Sequence, residues 1–146
     1  MIAPPALAVM TGALVAAVVD ARTGLIPDAV TRTTALAALG YAAANGAAPL
    51  ACGGAYAVGG TLLALHLLTR GRGLGLGDVK LGTAIGAGIG PAAGLIALGT
   101  AFVLGGMYAS WLLLTRRARR DDAIRFGPFL AAGTLAAAFV PATVLA

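Results

Sequence analysis

Long apolar runs separated by short polar joints dominate the chain, at residues 3–19, 29–44, 50–69, 79–90, 92–115 and 128–145. Crossing about 30 Å of hydrocarbon takes about 20 helical residues, and most of these runs approach that length. The fourth is short and rich in glycine, so it either spans with local thinning of the bilayer or enters only partway. The pattern predicts an all-α, polytopic membrane protein with about six transmembrane helices, forming a single membrane-embedded domain over residues 1–146. Gly82, Gly86, Gly90 and Gly94 recur every four residues. Such a stripe lines one helix face with small residues and lets a neighbouring backbone come close; we read it as scaffold.

The joints fall into two sets. Residues 21–27, 70–77 and 116–127 carry or flank all ten Lys and Arg, whereas residues 45–49 and 90–91 carry none. Under the positive-inside rule the basic joints face the cytoplasm and both termini lie outside. An odd number of helices would break this sorting, which is the main support for six. All five acidic residues, Asp20, Asp28, Asp78, Asp121 and Asp122, share the basic side, and there is no Glu. Any carboxylate chemistry is therefore expected at the cytoplasmic face of the cell membrane.

Composition sharpens this reading. Only 10% of residues are charged and 60% are hydrophobic, against about 25% charged in an ordinary soluble domain. The formal charge of +5 does not point to nucleic acid, because the basic residues sit between apolar runs rather than on a solvated face. Arg22 follows the first apolar run instead of preceding it, so that run is expected to be a helix and not a cleaved signal peptide. Cys52 is the only cysteine; it can form no internal disulfide or zinc-binding pair and is expected to pack among small residues. His66 is the only histidine and lies in an apolar run. We expect it to be structural, and we expect no metal, nucleotide or other cofactor. The glycine string before Asp78 has neither the P-loop nor the dinucleotide spacing.

Two aspartates stand out. Asp20 closes the first apolar run and opens Asp20-Ala21-Arg22-Thr23-Gly24-Leu25-Ile26-Pro27-Asp28. An anion at a helix C-terminus meets the negative end of the macrodipole, and carboxylates at a membrane boundary are functional candidates by default. The bland alternative is a solvated Asp paired to Arg22. Asp78 closes Gly71-Arg72-Gly73-Leu74-Gly75-Leu76-Gly77-Asp78 and could simply cap the next helix, although capping and catalysis are compatible. Gly75 and Gly77 free the backbone to let an extended peptide approach. Asp28 is expected to cap the second helix, Asp121 and Asp122 to balance the neighbouring arginines, and Lys80 to snorkel, with a role beside Asp78 as second choice.

At these residues the chain resembles the type IV prepilin peptidase family and its preflagellin peptidase relatives, membrane aspartyl proteases with a Gly-x-Gly-Asp motif. Three segments carry the resemblance: Asp20 to Asp28; Gly75-Leu76-Gly77-Asp78-Val79-Lys80-Leu81; and Ile124-Arg125-Phe126-Gly127-Pro128-Phe129-Leu130. They fall in the family's order on the predicted cytoplasmic side. The resemblance implies Asp20 and Asp78 as catalytic carboxylates; Gly75, Gly77, Lys80 and Asp28 are candidate substrate contacts, with Asp28, Asp121 or Asp122 as candidates to attract the positive charge of a basic leader. It implies prepilin or pseudopilin substrates, cut after a short basic leader. Larger members carry a cytoplasmic insertion with two CxxC pairs and methylate the new N-terminus. This chain has neither pair, so N-methyltransferase activity is not expected.

The chemistry fits two carboxylates sharing one proton. The ionised Asp takes a proton from water while the protonated Asp hydrogen-bonds the scissile carbonyl, and the pair titrates as a unit. Helix polarity alone would leave the proton on Asp20 and make Asp78 the base. Two rival readings are a small multi-pass transporter, which would place an acidic residue deep within a helix, and a noncatalytic pilus-assembly subunit, which leaves Asp20 unexplained.

Overall fold

The computed structural model describes residues 4–117 and 124–140. Six helices follow in order: α1 (Pro4–Thr23), α2 (Asp28–Ala44), α3 (Ala48–Leu68), α4 (Leu76–Ile89), α5 (Pro91–Leu114) and α6 (Gly127–Ala137). Among the described residues there is no strand. The protein is an all-α membrane protein. Pro5–Thr23, Ala48–Leu68 and Pro91–Leu114 are each long and apolar enough to cross a bilayer; the other three are shorter.

The packing is inverted relative to a water-soluble bundle. Ala predominates among the buried apolar positions, from Ala13 and Ala16 to Ala101 and Ala131, whereas Leu7, Leu36, Leu67, Val103, Met107 and Leu114 point outward. Lipid tails are as apolar as leucine, so large side chains gain nothing by turning inward. Close van der Waals contact between backbones, which requires small residues, holds the helices together. Cys52 faces outward as well, contrary to its expected packing.

The short fourth helix is the centre of the bundle, touching all five others. Its 14 residues rise about 21 Å at about 1.5 Å each, less than the hydrocarbon thickness. Against α3 the glycine stripe acts as expected. A Cβ on Gly86 would lie 2.1 Å from the Gly54 carbonyl oxygen, and one on Gly54 would lie 2.0 Å from that of Gly86. Gly82 likewise makes room for Leu62, and Gly94 for Val58. Gly90 has a separate task, since its φ of 81° lets the chain reverse between α4 and Pro91, the first residue of α5, in a conformation that L side chains resist.

Helix boundaries differ from expectation in three places. α1 continues through Asp20 to Thr23, and α4 opens at Leu76, so both aspartates lie inside terminal helical turns. α6 closes at Ala137, and residues 141–145 of the expected run lie outside the described residues. Pro141 has no N–H to give the Ala137 carbonyl and disfavours helix in the residue before it. The chain tightens accordingly, with Phe139 donating to Ala136 O and Val140 to Ala137 O.

The topology alternates end to end. A cavity of about 560 Å³ gathers the starts of α1, α3 and α5 and the ends of α2, α4 and α6, among them Pro5, Ala42, Leu50, Gly90 and Ala137. Asp20, Asp28 and Asp78 lie at the opposite end.

Candidate active site

Asp20 occupies the last turn of α1 and is 5% exposed. Its Oδ2 accepts a hydrogen bond of 3.1 Å from the backbone N–H of Gly127, the first residue of α6. Helix N-termini present free N–H groups and positive dipole ends. The contact is close: a Cβ on Gly127 would lie 2.8 Å from Asp20 Oδ2 and 3.1 Å from its Cβ. Any side chain at position 127 would push the carboxylate away.

Asp78 is the third residue of α4 and is 8% exposed. It is not the N-cap. Gly75 holds that position in extended geometry, and its N–H donates to Asp78 Oδ2 at 3.2 Å. This is the backward half of a capping box; Gly75 has no side chain to supply the forward half. Asp78 Oδ1 is buried and has no hydrogen-bond partner among the described residues. Leaving a buried polar atom unpaired costs about 1–3 kcal/mol.

The two carboxylates lie at the same end of the bundle, where α1 packs on α4. Helix polarity does not distinguish them as expected. Asp20 does lie at the negative end of α1, but its carboxylate rests on the positive end of α6, and the two dipoles oppose each other.

The other candidates frame this pair. Gly77 serves the joint after α1, since a Cβ there would lie 3.1 Å from Ile26 Cβ. Lys80 Nζ donates to Asp28 Oδ1 at 2.6 Å, and Arg32 reaches Asp28 Oδ2 at 3.4 Å. Asp28 does not cap α2: Pro27 is the N-cap residue, and no side-chain cap bond forms. His66 lies in the last turn of α3, at the same end as Asp78. Its Nδ1 is 2.7 Å from the Leu74 carbonyl oxygen, which secures the loop that leads into Gly75. Asp121 and Asp122 lie outside the described residues. Among the described residues no three His, Cys, Asp or Glu side chains converge as a metal site would require.

Sequence reasoning missed the contacts made by the segment before α6. Phe-Gly-Pro was legible as a motif, but not that Gly127 abuts Asp20. Nor was it legible that the Arg125 guanidinium donates to the Ala21 carbonyl, gripping the same turn of α1 from the next residue. A glycine immediately before a proline at a helix start was the available signal, because it offers one free N–H with no side chain in front of it.

Fold and site together define a polytopic helical membrane protein with two buried aspartates, from distant parts of the chain, at one end of the bundle. The chain belongs to the Type IV leader peptidase family, which it matches over residues 7–110. It is similar to proteins named Prepilin leader peptidase/N-methyltransferase from Burkholderia pseudomallei strains 1026b and K96243. Each is 37% identical over 131 residues, covering 83% of this chain and 41% of the relative. The chain thus spans less than half the length of these curated relatives. No solved structure gives a significant match.

Proposed function

We propose that the protein is a membrane aspartic endopeptidase that removes the short basic leader from type IV prepilins or pseudopilins. The observation that supports this reading is that Asp20 and Asp78 are both buried and lie at one end of the bundle, in a chain of this family. Water bound between the carboxylates is activated by the ionised member, while the protonated member hydrogen-bonds the scissile carbonyl. The unpartnered Oδ1 of Asp78 is the natural contact for that water or carbonyl. Gly75, extended and without a side chain, leaves room for the substrate backbone beside it.

The basic joints at this end favour a cytoplasmic orientation, with the chain ends on the outer side and the whole acting as one membrane-embedded domain. A prepilin would then present its leader from the cytoplasm and its apolar helix from the bilayer, placing the scissile bond at the height of the aspartates. The relatives are named for two activities, of which the two aspartates would supply the peptidase alone.

The test is co-expression with a prepilin, following leader removal by gel shift. Asp20→Asn and Asp78→Asn should each abolish cleavage while the protein remains in the membrane. Cleavage that survives either change would remove the two-aspartate mechanism.

A further inference from the structure

We propose that Asp28 and Lys80 form a positioning ion pair that sets the separation of Asp20 and Asp78, rather than a docking point for the substrate's basic residues. This deepens the peptidase reading and rests on it. The pair joins residues 52 positions apart at 2.6 Å, and each partner is closely tied to one aspartate. Lys80 shares the first turns of α4 with Asp78. Side chains two apart on a helix do not face each other, so Lys80 does not turn toward Asp78; it reaches across to α2. Asp28 is the first residue of α2 and is reached from Asp20 through one helical turn, a bend at Gly24 with φ of 71°, and a short extended stretch.

The Ile26 contact on Gly77 adds a second point between the same two segments. Polar tie and apolar contact thus both join the Asp20–Asp28 joint to the opening turn of α4. Arg32 also contacts Asp28, but from within α2 at i,i+4, and so cannot link the helices. Charge argues against Asp28 as a receptor for a basic leader. It already faces two cations. Among the described residues this end also carries Arg22, Arg70, Arg72, Arg116, Arg117 and Arg125, against Asp20 and Asp78 as the remaining acids.

A positioning pair and a leader contact have different kinetic signatures. Misplacing catalytic groups lowers kcat, whereas losing a contact made equally in ground and transition states raises KM. The experiment uses the full chain in membranes and a prepilin with a basic leader, alongside the same prepilin with its leader cations changed to Gln. Asp28→Asn and Lys80→Met should each lower kcat on the order of fivefold, the scale of a well-aligned exposed ion pair, with KM little changed. The charge swap D28K/K80D should restore kcat to within about twofold of wild type.

A raised KM in Asp28→Asn that disappears with the Gln leader, together with failure of the swap, would overturn the proposal in favour of leader docking. Wild-type kcat in both single variants would overturn it outright. Should the swapped protein fail to accumulate, D28N/K80M decides, because it removes both charges of the pair together: a fall in kcat supports the pair and an unchanged kcat refutes it. An inactive wild type would instead bring down the peptidase reading, a result distinguishable from all of these.

Discussion

Replacing Gly127 with alanine tests the contact between α6 and Asp20 most directly. The added Cβ would lie 2.8 Å from Asp20 Oδ2, 3.1 Å from its Cβ and 3.2 Å from its Cγ, so rotating the carboxylate alone cannot clear it. Reaching an ordinary contact of about 3.4 Å moves Oδ2 by about 0.6 Å. If the shift is outward, the 3.1 Å bond from the Gly127 N–H lengthens to about 3.7 Å, beyond hydrogen-bonding range.

A hydrogen bond to a charged group is worth about 1.5–3 kcal/mol, and each ~1.4 kcal/mol is tenfold in rate. Leader removal should therefore slow about 10- to 100-fold. Alanine is the better helix former by up to about 1 kcal/mol, which offsets part of the clash, so the variant should still accumulate in the membrane. The assay is the initial rate of leader removal, normalised to enzyme abundance. A rate within twofold of wild type at equal abundance would refute the idea that this backbone N–H positions Asp20.

Three further outcomes follow from contacts elsewhere. Arg125→Gln removes the charged grip on the Ala21 carbonyl and should lower the cleavage rate about fivefold, as expected for a solvent-exposed charged bond, with full recovery in Arg125→Lys arguing that charge alone matters. Gly86→Val drives side-chain atoms into the Gly54 backbone, and overpacking of about 1–3 kcal/mol should lower the melting temperature in detergent by about 3–10 °C; an unchanged melting temperature would contradict the close α3–α4 approach. His66→Phe keeps bulk but loses the bond to Leu74 O, and should speed trypsin cleavage at Arg70 and Arg72, read by gel under native conditions.

Much of this architecture was legible because the bilayer imposes a length on apolar runs. α1, α3 and α5 follow from hydropathy alone, and the glycine stripe of α4 correctly marked a close approach. What hydropathy could not give was where polar residues are helical. Asp20 and Asp78 both interrupt an apolar pattern and so read as boundary residues, yet backbone hydrogen bonding carries each helix across them. For Asp78 the capping expectation was off by the three residues that separate the N-cap from the carboxylate bonded back to it. The partners of Asp20 and Lys80 lie 107 and 52 residues away, and one sequence contains no trace of such pairings. The helix-polarity argument was incomplete for the same reason: it counted the dipole of the helix bearing Asp20 and not that of the helix touching it.

The outward-facing leucines and inward-facing alanines have a consequence for how this protein would tolerate random substitution. In a water-soluble domain the damaging changes trim large core side chains and leave holes. Here only a few large residues among those described, such as Leu62, Leu81 and Ile85, are fully buried, so trimming has few places to do harm. Enlarging does, because a single added methyl at Gly54, Gly86 or Gly133 would collide with a carbonyl of the adjacent helix. A saturation map should therefore read as the reverse of the familiar one. Broad permissiveness at the bulky apolar positions would surround a narrow set of small residues whose replacement by anything larger is lost from the population.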